Sequence, residues 1–397
     1  MITIRFYRDI DKPLWDSYVL NHPNGTFFHL IGWKTVIERT FRHKSYYLIA
    51  ESNGDRATSQ HWDTSIERDN NIALQQPNKP GINPTNSINP SNRSNSSNPS
   101  NSNNSSNPIA GVLPLFSVKS LLFCKSLVSL PFAAYGGILA DGQDIARQLL
   151  DKAKEITTSE RLEYLELRSR DGELAELPTK DLYVIFGREI FEDLESNMMA
   201  IPRKSRRMIR QGEKAGLTYE FGREELLPEF YEILARSYHR LGSPVFSIKL
   251  FKHLLGELKE QANILLVKNR EGKSMSSVLT FFYKDQVLPY YAGSLFEYRD
   301  LAPNDYMYWQ LMKYGCENGY KLFDFGRSKI DTGSYDFKRH WGFEPEPLPY
   351  QYFLNRIDEV PNLSPANPKY RKKIEMWQKL PFWLTKIVGP HIVKYIP

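Results

Sequence analysis

The feature that most constrains this chain is an internal echo. Leu130-Pro131, in the run LPFAAYGG, reappears as Leu288-Pro289 in LPYYAGS, 158 residues later. Glu166 in YLELRS meets Asp324 in LFDFGRS at the same offset. The elements around both landmarks follow one order. The first half reads as a strand over 1–10, helices over 12–20 and 31–40, and a strand pair YYLIA and IAGVLPLFSV. A strand around Leu127–Leu130 follows, then a Gly-rich turn at Tyr135–Gly137, a helix over 144–156 and a strand Leu162–Arg168. The second half reads as a hairpin of Ile264–Lys268 and Ser276–Tyr283, with its turn at Glu271-Gly272. A strand Gln286–Ala292, a helix from Pro303 to Asn318 and a strand Lys321–Phe325 complete it. Two matches at one offset, inside elements in one order, point to a duplicated β-β-β-α-β unit. Chance similarity is the competing reading, because the identities are few. The length of 397 residues suits two domains of about 150–180 residues each.

One segment stands outside the repeat. Residues 77–108 are almost entirely Asn, Ser and Pro. Such a composition cannot bury apolar surface and is expected to be disordered. The insert is placed over about 53–108, between two apolar runs that look like strand partners. It therefore reads as an expanded hairpin loop, because loop-closure entropy grows only slowly with length. The resulting division is a first domain over 1–180 carrying the insert, a second over 185–355, and a basic, aromatic tail over 356–397.

Composition narrows the function. Two cysteines, Cys124 and Cys316, with no CxxC, are too few for a disulfide scaffold or a Cys-based metal site. No metal is assigned, since neither His239 nor His340 sits in a ligand spacing. The first residues lack an apolar stretch of signal-peptide type, and no run approaches 18 apolar residues. The default location is the cytoplasm.

The net charge of +6 is mild for so long a chain, but it is unevenly distributed. The run 203–214 alone is +5 and the tail 369–397 is +6, so the remainder is −5. An acidic body disfavours duplex DNA, while two basic patches allow local contact with phosphates or a membrane. In the first patch, Arg203, Arg206, Arg207, Arg210 and Lys214 share one face of a helix. Such a face suits phosphate, which Arg grips with a bidentate fork. A solvated surface helix is the plainer alternative. In the tail, basic residues mix with Trp377, Phe382 and Trp383, and Pro381 and Pro390 divide it into short helices. This reads either as docking on an anionic membrane surface or as packing back on the protein.

A second cluster lies in Phe323–Phe343, FDFGRSKIDTGSYDFKRHWGF. If Phe323 and Phe325 face one layer, Asp324 faces the other. Arg327, Ser328 and Lys329 follow at the expected turn, and Gly333 and Ser334 could offer backbone donors to an anion. Lys338 and Arg339 add charge. Tyr290, Tyr291, Tyr306, Tyr308 and Trp309 surround the same face, as core or as cleft wall. An ion-paired turn, with Asp324 or Asp336 holding Arg327 or Lys338, is the competing reading.

A β-β-β-α-β unit is the plan of the GNAT acyltransferase fold, in which a splayed strand pair accepts the acyl donor. The fold class is therefore α/β (α+β): two tandem GNAT-like acyl-CoA N-acyltransferase domains, each a mixed sheet flanked by helices. Fold alone does not give chemistry. There is no GxSxG, Walker A or dinucleotide fingerprint. The [RQ]xxGx[GA] acetyl-CoA loop is absent from both halves.

At FDFGRSK and FKRHWGF the chain resembles the Fem family of N-acyltransferases, and more closely its FemAB-like branch associated with exosortase/PEP-CTERM and exopolysaccharide systems. Gly32-Trp33-Lys34, Leu130–Gly137, PRKSRRMIRQGEKAGL, APNDYMYWQLM and PLPYQYFL support the resemblance. It implies an enzyme that transfers an aminoacyl or acyl group to an amine of a cell-envelope precursor. It implies no tightly bound cofactor, with aminoacyl-tRNA or acyl-CoA as the acyl donor. The partners would be a lipid-linked envelope precursor and charged tRNA, with peripheral contact at the inner face of the cell membrane. Phe337 and Lys338 match the family's FK motif, whose lysine lies near the donor. Asp324 would accept or orient the amine's proton. Lys34, Arg203, Arg207 and Arg210 would hold acceptor phosphates, with Tyr291 and Arg327 lining the site. Residues 226–262 leave no room for the long helical arm of the cross-bridge enzymes, which weighs against tRNA. The alternatives are a catalytically degenerate module binding an anionic glycolipid or membrane, and an acyl-CoA-dependent GNAT acetyltransferase.

Overall fold

The computed structural model describes residues 1–52, 108–120, 125–170, 176–361 and 368–396. The expected Asn/Ser/Pro insert, apart from Pro108, lies outside them. Its flanks are partners as expected: Leu48–Ser52 runs antiparallel to Ile109–Leu113. Pro114 then divides the apolar run, since it has no N–H for a ladder. Among the described residues, Ile109–Leu113 serves a four-stranded sheet and Phe116–Lys119 a six-stranded one.

The duplicated unit is visible in the pairing. In the first half, Lys125–Val128 lies parallel to Tyr164–Leu167, with Ser126 opposite Tyr164. The helix Gln143–Ser159 makes the crossover and buries Leu149, Leu150, Ala153 and Ile156. In the second half, Gln286–Ser294 lies parallel to Leu322–Lys329, with Gln286 opposite Leu322. Here the helix Pro303–Glu317 makes the crossover. Tyr164 and Leu322 are again 158 residues apart. The second sheet has seven strands among the described residues and opens with Thr218–Gly222, Ala262–Lys268 and Ser274–Tyr283.

The halves exchange a strand. After Tyr164–Leu167 the chain crosses over, and Tyr183–Glu189 pairs antiparallel with Leu322–Lys329 of the second sheet. After Leu322–Lys329 it returns, and Tyr350–Leu354 pairs antiparallel with Tyr164–Leu167 of the first. Each half is thus completed by a strand lying beyond its own repeat.

A shared core reinforces the exchange. Phe27 and Phe28, buried in the first half, meet Phe281 and Tyr290 of the second, with Phe27 stacked on Phe281 at 4.5 Å. Helix Ile31–Phe41 packs on helix Ile248–Leu258, which buries Leu250, Phe251, Leu254, Leu255 and Leu258. Each such large side chain contributes about 1.5–3 kcal/mol by leaving water. Separating the halves would expose many at once.

The tail does fold back. Helices Pro368–Lys379 and Phe382–Val393 both pack on the helix Leu227–Arg240. Pro381 divides them as expected. Pro390 does not, and lies inside the second helix. No helix among the described residues is long and apolar enough to cross a membrane.

Candidate active site

The second parallel pair is short. Its register covers only Gln286 and Val287 against Leu322 and Phe323, beyond which the strands part. Residues 132–135 of the first half bridge the opening. Tyr290 donates its O–H to the Phe132 carbonyl at 2.8 Å, and Tyr135 donates its O–H to Asp324 Oδ2 at 2.6 Å. The bridging segment is a strained one. Leu130 and Phe132 hold positive φ, at 49° and 65°, each costing about 1–2 kcal/mol for a side-chain-bearing residue. At Gly137 a Cβ would stand 2.2 Å from Ser169 Oγ and 3.0 Å from its backbone.

The strand Leu322–Lys329 carries a bulge that arranges the site. Phe186 pairs with Gly326 and Gly187 with Asp324, so Phe325 has no opposite number. Gly326 takes φ +67°, which suits glycine. Phe323 and Phe325 point into the second-half core, and Asp324 points away from it toward Tyr135. The bulge turns the Gly326 N–H onto Asp324 Oδ1 at 2.7 Å and its carbonyl onto Lys338 Nζ at 3.0 Å. Arg170 Nη1 lies 3.8 Å from Asp324 Oδ2, its guanidinium over the Tyr135 ring. Asp324 and Tyr135 are each only 1% exposed, and Arg170 beside them is half-buried. Desolvation and the Asp324 charge hold the Tyr135 hydroxyl protonated, well above its usual range.

Lys338 sits on the helix Gly333–His340, capped by the Thr332 side chain, which accepts from the Tyr335 N–H. It faces inward and is 7% exposed. Its ammonium donates to the carbonyls of Gly326 and Arg327, at 3.0 and 3.1 Å, between the rings of Phe186 and Phe325. Burial pushes its pKa down to about 7. Asp324 opposes that shift and Arg327 adds to it. A lysine so poised can be charged or neutral near neutral pH. Phe337, half-buried, packs on Tyr308 and Trp341.

The expected turn at Arg327–Lys329 is instead strand. Tyr183–Glu189 pairs along these residues, with Ile185 opposite Arg327 and Tyr183 opposite Lys329, and keeps them extended. A partner strand so far upstream leaves no local mark in the sequence. Gly333 and Ser334 begin the following helix. The Arg327 guanidinium lies over Tyr183 and donates to the Tyr350 hydroxyl, joining both exchanged strands. Asp324 meets Tyr135 and Arg170 rather than Arg327.

The remaining candidates lie apart. Tyr291 is core, edge-on to Phe246 and Phe251. Lys34 donates to Glu38 at 2.8 Å, with its ammonium near the rings of Tyr7 and Tyr47. Arg203, Arg207 and Arg210 are exposed on the helix Arg203–Lys214, whose inner face of Ser205, Ile209 and Gly212 is buried. None of these three arginines has an ion pair among the described residues. No hydrogen bond or ion pair among the described residues joins Lys34 or these arginines to Asp324 or Lys338. No group of three His, Cys, Asp or Glu among the described residues is placed to hold a metal ion.

Sequence reasoning missed Tyr135 and Arg170. The echo at LPFAAYGG marked the turn, but no linear spacing connects a hydroxyl to a carboxylate 189 residues away.

Residues 202–339 match the family model described as an acetyltransferase (GNAT) domain. The chain is 31% identical over 134 residues to the lipid II:glycine glycyltransferase of Staphylococcus haemolyticus, covering 30% of this chain and 32% of that one. The same enzyme of Staphylococcus aureus matches at the same identity and coverage. The chain thus spans about a third of the length of the curated relatives it matches. Among solved structures it is similar to FemX, with a TM-score of 0.61 and 16% identity over 93% of this chain and 99% of that one. It is also similar to a tandem GNAT protein from the clavulanic acid biosynthesis pathway, with a TM-score of 0.50 and 9% identity over 90% of this chain and all of that one. The fold is therefore mixed α/β, FemAB-like, with tandem GNAT-like domains.

Proposed function

We propose that this protein is an N-acyltransferase that moves an aminoacyl or acyl group onto an amine of a cell-envelope precursor. One observation carries the reading. Asp324, Arg327, Phe337 and Lys338 all fall inside the GNAT match, and Asp324 and Lys338 meet on either side of Gly326 at the splay. In the reaction the amine nitrogen attacks the acyl carbonyl. A C–N bond forms, the bond to the donor's oxygen or sulfur breaks, and a proton passes from the amine toward the leaving group. Charged Lys338 stabilises the oxygen that gains negative charge. Asp324, whose oxygens keep lone pairs beyond those used by Tyr135 and Gly326, orients the amine. Positioning does much of the rest.

The relatives' name describes glycine transfer to lipid II, which favours a peptidoglycan-related, lipid-linked acceptor. The runs FDFGRSK and FKRHWGF favour the exosortase and exopolysaccharide-associated branch for the finer assignment. A co-substrate donor needs no tightly bound cofactor. Two domains, 1–180 and 185–355, are part of this reading, and the contacts of Tyr135 and Arg170 with Asp324 support a site where they join. The deep burial of Asp324 and Lys338 favours a second reading, a degenerate module that holds an anionic glycolipid without turnover.

Incubation with charged tRNA or acyl-CoA and amine acceptors, followed by detection of the new amide, tests the proposal. Amide formation that falls about a hundredfold in Asp324→Asn supports it. Turnover unchanged in both Asp324→Asn and Lys338→Ala removes the site assignment. Glycolipid binding without donor consumption selects the second reading.

A further inference from the structure

The tail and the end of the helix Leu227–Arg240 form a corner that the acyl-transfer reading does not use. Five large apolar side chains stand exposed there: Leu241, Phe296, Met376, Trp383 and Ile387. Trp383 is 62% exposed and Met376 68%. They belong to one locality. Gln378 donates to the Arg240 carbonyl at 2.8 Å, fixing the first tail helix beside the end of Leu227–Arg240. His239 meets the Leu380 carbonyl at 3.1 Å, fixing the break between the tail helices. Lys386 pairs with Glu232 at 3.0 Å, fixing the second tail helix. The Arg240 guanidinium lies 4.6 Å from the Phe296 ring centre.

Between these elements opens a cavity of about 450 Å³. Arg236, Arg240 and His239 line it together with Phe296, Phe382 and Glu297. Arg236 is already bound to Glu232 at 2.8 Å. Arg240 has no ion pair among the described residues. Around the corner the charge is net positive: residues 369–397 carry seven Lys or Arg and one Glu, with Lys386 paired to Glu232 and Arg371 to Glu375. Lys372 and Lys379 are exposed on the same helix as Met376.

Exposed apolar groups of this size cost free energy in water unless something covers them. The charge says what. Indole and aliphatic side chains set among lysines match the interface of an anionic bilayer, where the rings enter the headgroup layer and the cations meet phosphate. RNA would use the cations but has no place for Ile387 and Met376.

We propose that this corner docks the protein on an anionic phospholipid surface. Trp383, Ile387 and Met376 enter the interface, Lys372 and Lys379 meet headgroups, and Arg240 receives one lipid phosphate at the mouth of the cavity. The proposal is separate from the chemistry at Asp324, so its failure leaves that site untouched.

Co-sedimentation of the full chain with vesicles tests it. The vesicles are phosphatidylcholine alone, or phosphatidylcholine with about one-third phosphatidylglycerol. Binding is expected with the anionic vesicles, weakening as salt rises. Each of Lys372→Gln and Lys379→Gln is expected to weaken it about fivefold. The pair Trp383→Ser and Ile387→Ser, on exposed positions where folding is retained by circular dichroism, is expected to abolish it. Arg240→Gln is expected to weaken anionic binding while leaving residual attachment through the apolar groups. Equal binding to neutral vesicles, no binding to either, or unchanged binding by the Trp383/Ile387 variant would overturn the proposal. So would loss of tRNA binding in the lysine variants with vesicle binding intact.

Discussion

The two copies of the repeat treat the same carboxylate in opposite ways. Glu166 and Asp324 occupy equivalent strand positions, 158 residues apart. Two residues on, the first copy has Arg168 and the second Gly326. In the first copy Arg168 closes on Glu166 at 2.7 Å, both buried, and also donates to the Ala133 carbonyl. That carboxylate is neutralised by its own strand. In the second copy glycine supplies no charge, allows the bulge and turns its N–H to Asp324 and its carbonyl to Lys338. Asp324 then takes its partners from elsewhere: Tyr135 and Arg170 across the halves, with Lys338 behind Gly326. One copy has become a strut, and the other gathers the polar groups proposed here to act on a substrate. A duplicated fold can divide structure from chemistry by a single residue.

The comparison can be broken most sharply at the strut. Arg168→Met leaves Glu166 buried without its cation and should cost about 3–5 kcal/mol of stability, measured by urea unfolding. The double variant with Glu166→Gln should recover much of that loss. If Arg168→Met leaves the unfolding midpoint in place, the first copy is not a strut.

Next in size is Lys338→Ala, which should lower amide formation about a hundredfold or more at saturating acceptor. An equal loss in Glu166→Gln, with its fold intact, would erase the distinction between the copies. Tyr135→Phe removes a hydrogen bond to a charged group, worth about 1.5–3 kcal/mol. It should lower amide formation and weaken contact between the halves, read by limited proteolysis.

The smallest effect is a pH profile. Lys338 loses its proton as pH rises through about 7, so a rate that needs the cation should fall there. Lys338→Arg, charged throughout, should remove that falling limb while keeping part of the rate. The stability sign is opposite. The unfolded lysine binds its proton up to its ordinary value of 10.5, so this group's contribution to stability rises between pH 7 and 10.5. A wild-type rate that stays flat through neutrality would remove Lys338 from the charged role.

Much of this was readable from local pattern. The alternation FDF placed Asp324 opposite its neighbouring rings, because strand period is two wherever one face is buried. The echo at Leu130 and Leu288 pointed to both parallel pairs but two residues out of step: Leu288 lies within its strand, whereas Leu130 follows Lys125–Val128 at positive φ, and the registers set Ser126 against Gln286. The run Arg203–Lys214 declared a helix with one basic face. Lys34 was legible as a cation but not as one held by Glu38. Tyr291 was legible as an aromatic but not as core, for an aromatic strand residue serves either role until its neighbours are known.

The sequence by itself determined the duplicated α/β plan, the hairpin that carries the insert and the segregation of charge. All three depend on residues close together in the chain. Only the tertiary structure decided the strand exchange, the bulge at Phe325 and the union of Tyr135 with Asp324. Each depends on a partner more than a hundred residues away. Long-range pairing is selected by how whole faces bury together, and no short stretch of sequence contains that information.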